Sequence, residues 1–192
     1  MEKDEQISKF LKSNPTVQSS FLEYPLPILI QSGDIFTLNK FNVSSDTNKL
    51  NSETVYINVC GKYKDMNVMA SRTLLVNPED SQKKAYNLTS EALDVCIKNI
   101  VVGQPIKNAY IAAKEFIRSK NPDLATHLHN NFGFGIGCSI KEDALMINET
   151  NETLVQPNMA FHVRITLSEV HKKPSRGIIA IGETVFVDSE GK

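Results

Sequence analysis

The sequence predicts an α+β domain, a curved and mostly antiparallel sheet backed by two helices. Three observations carry this. Two β-branched and aromatic segments follow one another after residue 53 with only a short break between them. Two stretches between 77 and 121 repeat apolar residues at three- and four-residue spacing. From 132 onward, short apolar runs return, separated by turn residues. A chain of 192 residues can bury one sizeable core, and it is read as one domain over 21–188, with a short helix or disordered segment at 1–20 and a tail at 189–192.

The elements follow in order. The opening dozen residues suit a short amphipathic helix through Ile7, Phe10 and Leu11, or a frayed end, and "SNPTVQSS" reads as a linker. "YPLPILIQSG" has two prolines ahead of an apolar run and is extended. "NVSSDTNKLNS" is a polar loop. "TVYINVC", a turn or bulge at "GKY", and "MNVMASRTLLV" make an antiparallel hairpin. The first long helix starts with Asn77 as N-cap and Pro78 at its first position, and it carries an apolar stripe through Ala85, Leu88, Ala92, Val95 and Cys96. Gly103 closes it; Pro105 opens a second helix, which Asn121 and Pro122 end. "FGFGIGCSI", "ALMIN", "MAFHVRITL" and "GIIAIGETVFV" are the remaining strands.

Composition narrows the function. A net charge of −1 and a pI near 6.4 provide no global positive field, so strong direct DNA binding is not expected. The polar, charged N-terminus has neither a basic region followed by an apolar one nor a membrane-spanning run, which points away from secretion and from membranes. Cys60, Cys96 and Cys138 are odd in number and widely spaced, and they are expected to be reduced, buried and intracellular. The sequons at Asn42, Asn87, Asn148 and Asn151 are then incidental to an Asn-, Ser- and Thr-rich chain.

The densest motif is "NNFGFGIGCSIKED", with Gly133, Gly135 and Gly137 at alternate positions of a strand whose backbone must approach something closely. It lacks the helix-opening third glycine of a dinucleotide fingerprint and the Gly-Lys-Ser/Thr of a P-loop, since "CSIKED" reads as more strand. Ser139 and Cys138 are not placed between glycines as a nucleophile elbow requires. His127 and His129, two apart and close to Asp123, could form a metal site on a strand or could be exposed capping residues. His162 lies in an apolar strand, and His171 in "HKKPSR".

The order of these motifs is more specific than any one of them. "SRTLLV", two helices, "GFGIG", "KED", "PNMAFHV" and "IGETVFV" resemble the pita-bread fold of the aminopeptidase P, methionine aminopeptidase and creatinase family. That family's blocks read "TRTF", "GHGIG", "HE", "PGMVFTIEP" and "RIEDTVLV", and two Asp, one His and two Glu hold a pair of metal ions. The resemblance sets Asn58 and Met69 at the Asp positions, Phe134 at the His, and Arg164 and Gly182 at the Glu positions. An amide, a thioether, a phenyl ring, a guanidinium and a glycine cannot neutralise two divalent ions. Lys141 replaces the histidine of "HE", and Glu142 is retained.

Among such proteins the chain most resembles the peptidase-like domain of the large subunit of FACT, the histone chaperone complex. The resemblance rests on "YPLPILIQSG", "SRTLLVNPEDSQKKAY", "NPDLATHLHNNFGFGIGCSIKEDALMIN" and "LVQPNMAFHVRI", and it runs from about Tyr24 to Val187. Asp34, Asn158 and Arg164 depart from its pattern. The resemblance covers the C-terminal pita-bread lobe only, so the chain is expected to be a fragment or a shortened relative. It implies a catalytically inactive module without cofactor, located in the nucleus and on chromosomes and acting in transcription, replication and repair. The implied partners are core histones or their tails, the other FACT subunit and chromatin factors. A peptide-shaped groove rimmed by Lys141, Glu142, Asp143, Glu149 and Glu152 is the expected contact surface for basic tails. The alternatives are a hydrolase whose metal site has moved to His127, His129 and Asp123, and a structural lobe that docks other subunits.

Overall fold

The computed structural model describes residues 2–32, 36, 53–168 and 177–188, with side chains from residue 8 onward. The expected loop at 42–52, Asp34, His171 and the tail at 189–192 lie outside the described residues. Helix α1 (Glu2–Ser13) occupies the opening dozen residues. Strands β1 (Leu22–Glu23) and β2 (Leu29–Ser32) both pair antiparallel with β3 (Thr54–Tyr63). Strand β3 turns into β4 (Met66–Leu75), which is followed by α2 (Asp80–Lys98), α3 (Lys107–Lys120) and the short α4 (Pro122–Ala125). Strands β5 (Gly133–Gly135), β6 (Ala160–Leu167) and β7 (Ile179–Phe186) complete an open sheet in the order β1-β3-β4-β7-β6-β5, with β2 beside β3. The pairs are antiparallel, as the patterning predicts.

Several boundaries differ from expectation, each for a local reason. "GKY" continues β3, and the turn is Lys64-Asp65, with φ of 46° and 66°. A two-residue loop with both centres left-handed matches the right-handed twist of a hairpin, which a turn at "GKY" would not. Asn77 has φ 51° and forms a turn ahead of α2 in place of a cap; the helix starts after Glu79, whose N–H donates to Gln82 Oε1 at 2.6 Å. Pro105 bridges to Leu154, so α3 begins two residues beyond it.

The glycine segment is the largest departure. Only Gly133–Gly135 is strand, and the chain bends at 137–140. Asn67 of the hairpin captures it there: its backbone N–H and its Nδ2 both donate to Gly137 O, at 2.8 and 2.7 Å, and Nδ2 also reaches Cys138 O at 3.2 Å. The bend leaves Cys138 exposed, while Cys60 and Cys96 are buried as expected. "ALMIN" is no strand either; Asp143–Leu145 is a 3-10 turn that lays Leu145 over Gly135, where a Cβ would come within 2.6 Å of it.

The core lies on one face of the sheet. Phe161, Val163 and Ile165 of β6 and Ile181 of β7 point towards α2 and α3, whose small residues Ala85, Ala92, Ala109 and Ala113 let the helices approach closely. The alternation of β6 sends His162 and Arg164 to the opposite face. Asn158, at φ 66°, takes the left-handed place in the turn ahead of β6, a conformation that asparagine tolerates. Among the described residues no helix is long and apolar enough to cross a membrane.

Gly133 has φ +138°, and a Cβ there would overlap the carbonyl oxygen of His162 on β6. Gly133→Ala is expected to lower stability by roughly 2–4 kcal/mol in urea unfolding, through combined strain and overlap. Gly61→Ala, whose Cβ would meet only Val68 Cγ2 at 3.7 Å, should stay within about 1 kcal/mol of the parent.

Candidate functional site

Residue-to-residue pairing places all five resemblance positions on the sheet face away from the helices, in two adjacent rows. One row runs Asn58, Ser71, Gly182, Arg164, because Asn58 pairs with Ser71, Ser71 with Gly182, and Gly182 with Arg164. The next runs Cys60, Met69, Thr184, His162, Phe134. Within it Thr184 replaces a backbone pair with its hydroxyl, accepting from Met69 N at 2.7 Å and donating to Met69 O at 2.9 Å.

The rows are filled. Met69 and Phe134 form an apolar cluster with Cys60, Ile136 and Ala160, and the Phe134 ring lies 5.4 Å from the ring of His162. Beside it is a chain of polar groups. Ser71 Oγ donates to Asn58 Oδ1 at 2.7 Å and accepts from Tyr56 OH at 3.4 Å, and Arg164 Nη1 donates to Tyr56 OH at 3.3 Å. His162 Nε2 is 3.3 Å from Ser71 Oγ. His162 Nδ1 is buried without a hydrogen-bond partner. Burial, and then the Arg164 cation, push the His162 pKa down to about 3, so the ring is neutral at physiological pH.

Gly182 is required by its neighbour. A Cβ on it would stand 2.8 Å from Arg164 Cβ and 2.8 Å from Val163 O. The Arg164 stem occupies the space that a side chain at 182 would need, so a carboxylate there is sterically incompatible with Arg164 as well as absent. Arg72 ties the same edge, donating from Nη1 to Gly182 O at 2.7 Å and from Nη2 to Glu183 Oε1 at 2.5 Å.

A profile of metallopeptidase family M24 matches residues 2–189. The chain belongs to this family. Over 149 residues it is 32% identical to FACT complex subunit ctc-2 of Neurospora crassa, a match covering 78% of this chain and 14% of that protein. FACT complex subunit SPT16 of Dictyostelium discoideum is 28% identical over 178 residues, 89% of this chain and 16% of the relative. The solved N-terminal domain of SPT16 from Cicer arietinum superposes with a TM-score of 0.87 at 25% identity, covering 98% of this chain and 46% of its own. X-Pro aminopeptidase of Thermotoga maritima shares the fold, with a TM-score of 0.70 at 22% identity over 85% of this chain and 45% of its own. The chain thus has the pita-bread architecture expected, and spans less than a fifth of the length of the curated FACT relatives it matches.

M24 peptidases imply a metal pair, and the residues here do not fit one. Among the described residues no group of three or more His, Cys, Asp or Glu side chains could hold an ion. The two inner-face rows offer a thioether, a phenyl ring, an amide, a cation and a single buried imidazole, that of His162, where a pair of hard divalent ions needs several anionic oxygens or imidazoles. The other expected residues are dispersed. His127 and His129 lie on an extended segment along β6, where Ser168 N donates to His127 O and His129 N to Thr166 O, and Asp123 is exposed on α4. Glu142 and Asp143 lie beside β5, with Glu142 N donating to Gly135 O at 2.8 Å and Asp143 paired with Lys141 at 2.5 Å. Glu149 and Glu152 reach over α3 to Lys114 and Lys107. Asn151 donates to Ala144 O and Met146 O and so braces that loop. Sequence reasoning missed the Tyr56–Ser71–His162 group, although the alternation of "MAFHVRITL" already puts His162 and Arg164 on one face.

The depressed pKa of His162 gives a pH dependence. The unfolded chain binds a proton near pH 6.5 that the folded chain takes up only near pH 3, so stability is full above 6.5 and falls as pH drops through that window. The unfolding free energy from urea titrations should decline with a slope approaching about 1.4 kcal/mol per pH unit. The slope should flatten in His162→Gln, leaving the smaller part from His129, whose pKa is lowered by burial and then by Arg164.

Proposed function

We propose that this chain is a non-catalytic M24 module that binds histones or nucleosomes in a FACT-type complex of the nucleus and chromosomes, serving transcription, replication and repair. The observation that supports this most is the filled inner face, seen together with relatives named as FACT complex subunits. In this reading Asn58, Met69, Phe134, Arg164 and Gly182 stand where the peptidases keep their ligands, and they hold the sheet together in place of ions. Binding of core histone tails then uses the loop over 141–152, with the other FACT subunit and chromatin factors as further partners.

The physical case for the loop is its exchangeable charge. Asp143, Glu149 and Glu152 are 79%, 62% and 67% exposed, and each is held by a lysine. Exposed pairs of this kind contribute only about 0–1 kcal/mol. A dense run of basic residues can displace Lys141, Lys107 and Lys114 at small cost and gain several carboxylates at once.

Charge reversal of Glu142, Asp143, Glu149 and Glu152 to Lys should weaken binding of purified core histones at least tenfold and flatten its dependence on salt, as read by fluorescence titration. Unchanged affinity and slope would remove the loop as the surface. No histone binding by the parent chain even at low salt would remove the function.

A further inference from the structure

The start of α3 and the segment 149–153 run side by side in opposite directions. Lys107 N donates to Asn151 O at 3.1 Å, and Ile106 N to Thr153 O at 2.9 Å. Two ion pairs cross the same seam, Lys107 to Glu152 and Lys114 to Glu149, the second at 3.0 Å. These lysines lie two turns apart on one face of α3, about 10 Å along its axis. Tyr110 fixes the second of them further, with Lys114 Nζ 5.4 Å from the ring centre. Glu149 and Glu152 are therefore held on the order of 10 Å apart. Between them stands Asn151, whose amide is engaged at both ends. Its Nδ2 donates to Ala144 O at 3.0 Å and to Met146 O at 2.8 Å, and its Oδ1 accepts from Thr153 N at 3.0 Å. Residues 146–159 belong to no helix or strand, so this one side chain ties both ends of the loop where a regular ladder would otherwise do so. Aspartate has no donors to offer the two carbonyls, and glutamine is a carbon longer.

We propose that Asn151 is a positioning residue of this loop, fixing the separation of Glu149 and Glu152 so that the surface selects extended peptides with basic residues three apart. The inference rests on the loop being the contact surface, as set out under the proposed function. An unfolded tail samples the polyproline II helix, which repeats every three residues, about 9 Å, and so carries positions i and i+3 on one side. Lysine or arginine at those positions can take the places of Lys107 and Lys114 together. Basic residues two apart are separated by only about 6 Å along the axis and face different ways, so they reach one carboxylate at a time. Spacing then discriminates between tails of equal charge, which charge alone does not.

The test titrates the whole chain by fluorescence anisotropy with two fluorescein-labelled peptides of Pro, Ser and Lys. They are equal in length and charge, one with lysine at every third position and the other at every second. The parent is expected to bind the first about fivefold more tightly, the upper end of what one exposed ion pair contributes. Asn151→Ala should erase that preference. Asn151→Asp keeps the acceptor for Thr153 N and adds a carboxylate, yet has no donors, so it too should bind the peptides without preference. Both variants should retain the far-UV circular dichroism of the parent, because Asn151 lies outside the helices and strands. Equal binding of the two peptides by the parent, or a preference retained in either variant, would overturn the proposal, and binding of core histones by the parent would still uphold the loop as the surface. No binding of either peptide by the parent would overturn the surface assignment as well.

Discussion

The pairing of Arg164 on β6 with Gly182 on β7 is the contact on which the inner face depends. The arginine stem lies over the glycine so closely that any side chain at 182 would overlap it. Once that stem is in place, its guanidinium reaches Tyr56 and the polar chain through Ser71 to Asn58 is set. In the adjoining row His162 is left buried and neutral against Phe134. A space that could hold charged ligands is occupied by side chains that satisfy or pack against one another.

This changes what holds the domain together. A bound metal pair would supply coordinate bonds across five strand positions. Here dispersion among Met69, Phe134, Cys60 and Ile136, together with a short hydrogen-bonded chain, does so. One cost remains, the unpartnered Nδ1 of His162, tolerated because burial holds the ring neutral. With its inner face packed, the domain carries its acidic, lysine-paired loop over α3 on the outside.

Much of the fold could be read in the residues. The alternation of "MAFHVRITL" and "GIIAIGETVFV" located β6 and β7, and the helical spacing of Ala85 to Cys96 located α2, because each pattern reflects burial on a single face. The failures lie where a distant group overrides local preference. Asn67 draws Gly137 and Cys138 out of the strand that their apolar neighbours suggest, and no local signal in "GIGCSI" reports it. Asn77 and Pro78 carry good cap chemistry, yet Asn77 serves as a left-handed turn residue and Glu79 with Gln82 makes the cap. At the site, motif order proposed five positions that strand register sets on one face, but the hydrogen bonds joining Tyr56, Ser71 and His162 depend on that register, which single residues do not disclose.

The most direct test of the filled inner face is a titration with divalent cobalt, followed by calorimetry and by visible absorption. The account predicts no saturable inner-sphere site and no ligand-field bands at up to several equivalents per chain. Two tightly held equivalents with such bands, lost on substitution of Asn58 or His162, would contradict it.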